Sequence, residues 1–129
     1  MAVRGIRGAT CAAENTQEAI EEATIELLRH IVSANQLLES DIAAAWFTMT
    51  PDLDAAFPAR AARVMGWCDV PLMDAVEIPV AGALERCIRV LLFWNTDLPQ
   101  DRIRHIYLGE ARNLRPDLAE RDRSQEALP

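Results

Sequence analysis

From residue 16 to residue 35 apolar side chains recur every three or four positions: Ile20, Ala23, Leu27, Leu28, Ile31 and Val32. Glu18, Glu21, Glu22 and Arg29 fall between them. With about 3.6 residues to a turn, that spacing predicts one helix with a dry stripe and a wet face. Thr16 offers an N-cap hydroxyl, Glu18 puts negative charge in the first turn, and Asn35 is a suitable stop. A long helix with a single apolar stripe needs a second layer to lie on, and the rest of the chain reads as a sheet.

Residues 3–10 form a short glycine-containing strand, and 42–48 a buried strand by their continuous apolarity. Residues 57–66 predict a short helix, with Pro58 near its first position and Gly66 as its stop. A third extended stretch covers 70–78, followed by a short helical or turn element at 79–82. Residues 87–95 carry the strongest strand pattern, apolar enough for burial on both faces. Pro99 breaks the chain, a turn of helix follows, and 106–112 make a last strand. The expected class is α+β (mixed), a five-stranded sheet packed by one long and one short helix. At 129 residues this suits one domain, spanning 1–118, with a polar flexible tail over 119–129.

The charges exclude several functions. Twenty acidic residues against 13 basic ones give a net charge of −7, with no basic block, so nucleic acid is not an expected partner. All 13 basic residues are arginine, which removes every mechanism that needs a protein amine, such as a Schiff base or a phosphate-loop lysine. No apolar run reaches the ~20 residues of a membrane helix, and the charged first eight residues do not read as a secretory leader. A cytoplasmic protein without membrane contact is expected. Cys11, Cys68 and Cys87 are distant in sequence and form no C-x-x-C pair; buried inert thiols are expected, with no disulfide framework. His30 and His105 are scattered, and no metal site is expected.

Arginine placement is the functional clue. Arg89 interrupts Ile88-Arg89-Val90-Leu91-Leu92-Phe93, and Arg7 stands between Ile6 and Ala9. A guanidinium on such a strand keeps its charge and must meet an anion, whether a ligand or a structural carboxylate. Glu77 is a carboxylate within an apolar stretch, and Tyr107 is the single tyrosine. Arg60 and Arg63 lie three apart on the short helix, and Arg115 follows Leu114 near the tail. No nucleophile has a base beside it. Fixed cations, one acid and one phenol suit binding a small polyanion better than acid–base or covalent chemistry.

Five motifs in register carry a family resemblance. They are Arg4-Gly5-Ile6-Arg7-Gly8-Ala9-Thr10, Thr50-Pro51-Asp52-Leu53 with Phe57-Pro58-Ala59, Cys87-Ile88-Arg89-Val90, residues 99–108, and Leu114-Arg115-Pro116-Asp117-Leu118. From Arg4 to Leu118 the chain resembles the small monofunctional chorismate mutases of the trimeric pseudo-α/β-barrel type. The resemblance implies conversion of chorismate to prephenate, in phenylalanine and tyrosine biosynthesis, by an intramolecular Claisen rearrangement that uses no metal and no cofactor. It implies that Arg89 hydrogen-bonds the breaking ether oxygen and a substrate carboxylate, that Arg7 and Tyr107 hold a carboxylate, and that Glu77 accepts from the ring hydroxyl. Arg60, Arg63 and Arg115 would form an electropositive mouth, with Phe57, Ala59, Leu72 and Leu114 as apolar walls and the active sites between subunits of a homotrimer. Arg60 stands where the family expects lysine, and Met73-Asp74 stands beside the hydroxyl site, where a small polar residue and a cysteine can occur. The competing expectation is a non-catalytic trimer of the same architecture that binds small anions or metabolites, because fold alone does not assign chemistry.

Overall fold

A computed structural model describes residues 2–118. The expected tail at 119–129 lies outside the described residues. Strand β1 (Ala2–Cys11) leads into helix α1 (Gln17–Asn35), then β2 (Ile42–Met49), α2 (Pro58–Val64), β3 (Leu72–Val76), β4 (Cys87–Thr96) and β5 (Ile106–Tyr107). The sheet order is β3-β2-β4-β1-β5. Strand β4 runs antiparallel to both β1 and β2, while β3 is parallel to β2 and β5 is parallel to β1. This is the mixed five-stranded α+β sheet expected.

Helix α1 starts as its sequence dictates, with the Thr16 hydroxyl accepting from the Ala19 N–H at 3.1 Å. Its stripe of Ile20, Thr24, Leu27, Leu28 and Ile31 is buried against one face of the sheet, where Ile6, Phe47, Val90 and Leu92 also point. Gly8 makes that approach possible: a Cβ there would lie 2.7 Å from Ile31 Cδ1. The stop is made by Gln36, in the left-handed region at φ 52°. Asn35 instead clamps the helix end to the β5 approach. Its amide donates to the Arg104 carbonyl at 2.9 Å and accepts the Arg104 N–H at 2.9 Å.

Several elements differ from expectation. The last strand is two residues long, because after the Leu108 N–H reaches the Ala9 carbonyl, Gly109 turns the chain at φ 57° into the 3-10 segment Gly109–Asn113. The third extended stretch pairs only over Leu72–Val76, since its partner β2 runs out at Met49. Residues 79–82 form a turn, with no helix. Strands β2 and β4 are buried on one face only; Trp46, Leu91, Met73 and Val3 stand exposed on the other. Cys68 is also exposed, against expectation, because Trp67 takes the buried position after the Gly66 turn.

Candidate active site

Strand register assembles the cleft. On the face opposite α1, one row runs Ala75, Thr48, Arg89, Ala9 and Tyr107 across β3, β2, β4, β1 and β5. The neighbouring row places Met73, Trp46, Leu91 and Arg7 in line. Between them lies a cleft of about 350 Å³, lined by Arg7, Trp46, Thr48, Arg89, Leu91 and Tyr107. Ala9 is the small residue between Arg89 and Tyr107, which leaves room for a ligand group above it.

The electrostatics are those of an anion seat. Arg89 Nε lies 2.6 Å from Glu77 Oε1, and Nη2 donates to Oε2 at 3.1 Å. The Nε–H is not directed at the carboxylate and has no aligned acceptor among the described residues. Burial disfavours the Arg89 charge, but Glu77 outweighs it, and the guanidinium pKa sits above its ordinary value. Tyr107 is 4% exposed, and its hydroxyl has no hydrogen-bond partner among the described residues. Burial pushes the phenol pKa up, against the opposing pull of Arg7, Arg115 and Arg89. A protonated phenol that lines one cleft with the Arg7 and Arg89 guanidinium groups is a donor set for a carboxylate.

The remaining residues singled out in the sequence lie elsewhere in the chain. Phe57, Arg60 and Asp74 line a second cavity of about 450 Å³, and Phe57 is 67% exposed. Arg60 lies 3.5 Å from Glu21. The Asp74 carboxylate accepts the Ala59 N–H at 3.0 Å, tying β3 to the start of α2. Burial pushes the Asp74 pKa up, while the Ala59 N–H and Arg63 pull it down. Ala59 is buried, Leu72 packs against the main core, and Met73 is exposed. Leu114 packs with Tyr107, and Arg115 forks onto Asp117 at 3.0 and 2.9 Å. The sequence reading missed Thr48, Trp46 and Leu91. Only Thr48 left a trace, as a hydroxyl in an apolar strand, and nothing local indicates that it faces Arg89.

Residues 3–118 match the family described as chorismate mutase type I. The chain belongs to the type I chorismate mutases. It is 57% identical over 117 residues to chorismate mutase AroH of Thermus thermophilus, covering 90% of this chain and 96% of that protein. Chorismate mutase AroH of Bacillus subtilis (strain 168) is 45% identical over 120 residues, covering 92% of this chain and 94% of its own. Among solved structures, a chorismate mutase from Clostridium thermocellum superposes with a TM-score of 0.83 at 49% identity, covering 84% of this chain and 97% of that one. Chorismate mutases are isomerases, so the catalytic expectation displaces the non-catalytic one. No helix among the described residues is long and apolar enough to cross a membrane.

Proposed function

We propose that this chorismate mutase works by conformer selection and electrostatic stabilisation in the Arg7–Arg89–Tyr107 cleft. The substrate is a dicarboxylate that must fold into a compact chair, and the rearrangement develops negative charge on the breaking ether oxygen. No proton is transferred and no covalent intermediate forms, so the protein supplies position and charge alone. Arg89 donates to the ether oxygen, Arg7 and Tyr107 hold a carboxylate, and Glu77 accepts from the ring hydroxyl. The observation that carries this reading is the buried Tyr107 hydroxyl, without a hydrogen-bond partner among the described residues, in one cleft with Arg7 and Arg89.

The second cavity fits the same reading if the enzyme is a homotrimer. Phe57, Ala59, Arg60 and Arg63 of one subunit then complete the cleft of its neighbour. Leu72, Met73, Asp74, Leu114 and Arg115 border the joined site. The exposed Trp46, Leu91, Met73 and Val3 on the open sheet face support association, because an apolar surface of this kind calls for cover. Sedimentation at micromolar concentration should give a trimer; a stable, active monomer would refute the shared site.

The direct test follows loss of chorismate ultraviolet absorbance for the parent and for Arg89→Ala, with no metal or cofactor added. Deleting one preorganised oxyanion donor costs about 3 kcal/mol or more, a rate loss on the order of a hundredfold to a thousandfold. The kcat profile should be flat around neutrality, because no group titrates in the chemical step. A variant as fast as the parent would overturn the role of Arg89.

A further inference from the structure

We infer that Thr48 is a positioning residue that fixes the Glu77 carboxylate, and through it the aim of Arg89. The inference rests on the roles proposed above for Glu77 and Arg89. Glu77 lies just past β3, at the edge of the sheet, with its main chain anchored by its N–H to the Met49 carbonyl at 2.9 Å. Arg89 is on β4, and β2 lies between them. To reach Arg89 the Glu77 side chain must cross β2, and it crosses at Thr48, the register partner of both Arg89 and Ala75.

The Thr48 hydroxyl donates to Glu77 Oε1 at 2.6 Å. The same oxygen is 2.6 Å from Arg89 Nε, whereas among the described residues Oε2 meets only Arg89 Nη2, at 3.1 Å. Oε1 is therefore crowded by two groups, and Oε2 is the oxygen with capacity for a substrate hydroxyl. The last torsion of a glutamate is broad and roughly two-fold, so a guanidinium alone does not decide which oxygen is presented. A hydroxyl on a β-branched side chain has a restricted χ1 and does decide it. Without that hydroxyl, the Glu77 carboxylate is held by Arg89 alone and its last torsion is free to turn, which changes the oxygen presented to the substrate and the aim of the guanidinium.

The test measures kcat, KM and thermal midpoint on chorismate for the full chain and for Thr48→Val, Thr48→Ser, Glu77→Ala and the Thr48→Val/Glu77→Ala double variant. Valine keeps the shape and strand preference of threonine, so the fold should be retained. Loss of a hydrogen bond to a charged group predicts a kcat about tenfold lower for Thr48→Val, with KM within about twofold of the parent. Serine should restore most of kcat, and the double variant should be no slower than Glu77→Ala alone. A slow Glu77→Ala with a parental Thr48→Val, a Thr48→Ser as slow as Thr48→Val, or strictly additive losses would each overturn the positioning role. A Glu77→Ala variant with parental turnover would instead remove the reading of Glu77, and this inference with it.

Discussion

Gly8 couples the helix layer to the sheet that carries the Arg7–Arg89–Tyr107 cleft, and Gly8→Ala measures how tightly. The new Cβ would lie 2.7 Å from Ile31 Cδ1, 3.1 Å from Val90 Cγ1 and 3.2 Å from Leu27 Cδ1. Carbon atoms sit comfortably at about 3.5–4.0 Å, so all three side chains must give, one of them by about 1 Å. Ile31 and Leu27 are fully buried and Val90 is 4% exposed, which leaves them little space to move into. Overpacking of this kind costs about 1–3 kcal/mol. Restricting the unfolded chain returns about 0.4–1 kcal/mol. The net expectation is a destabilisation of about 1–2 kcal/mol, or a fall in Tm of roughly 4–8 °C for a domain of this size. Urea or thermal unfolding at fixed protein concentration reads this directly, because association makes Tm concentration-dependent. Ile31→Val removes the clashing Cδ1. In the parent it should cost about 0.5–1.5 kcal/mol. In the Gly8→Ala background it should cost less or stabilise. A Gly8→Ala chain as stable as the parent, or strict additivity with Ile31→Val, would refute the packing argument.

Three further outcomes follow from the same geometry. Asn35→Ala removes both bonds that join the end of α1 to Arg104 and should lower stability by about 2 kcal/mol in denaturant unfolding. An alkylating reagent at mildly alkaline pH should label exposed Cys68 first by mass spectrometry. Burial pushes the Cys11 thiol up and the Cys87 thiol up to about 12, which keeps both protonated and slow. The Arg115 fork holds the Asp117 carboxyl down at about 2. A depressed carboxyl contributes stability that is present above its unfolded value of about 3.9 and lost as pH falls through the folded one. Carboxyl NMR should therefore show the Arg115–Asp117 clamp opening between about pH 4 and pH 2.

The arginine-only cation inventory has a physical counterpart in the cleft. Arg89 and Arg7 project from adjacent strands of one sheet, so the distance between their guanidinium groups is set by backbone pairing, with no loop in between. A rigid mounting of this kind suits the mechanism proposed above, in which the protein contributes only preorganised charge. Asp74, which the family resemblance sets beside the hydroxyl site, has its carboxylate engaged by the Ala59 N–H. It thereby holds α2, and with it Phe57 and Arg60, against β3.

Periodicity, caps and punctuation are local, and the sequence alone determined what depends on them. The Thr16 cap, the buried stripe of α1, Pro58 at the start of α2, the arginine inside β4 and the family motifs were all readable within a few residues. Strand lengths were readable only in part. Each strand ends where its partner does, as β3 does at the end of β2 and β5 at its last bond to Ala9. Register between strands distant in the chain was not readable at all, since no local preference selects which residues face each other across a sheet. Register brings Tyr107 beside Ala9, lays Glu77 across Thr48 to Arg89, and leaves Trp46 and Leu91 on the open face. The residue types of the site were thus set by the sequence, and their convergence by tertiary pairing.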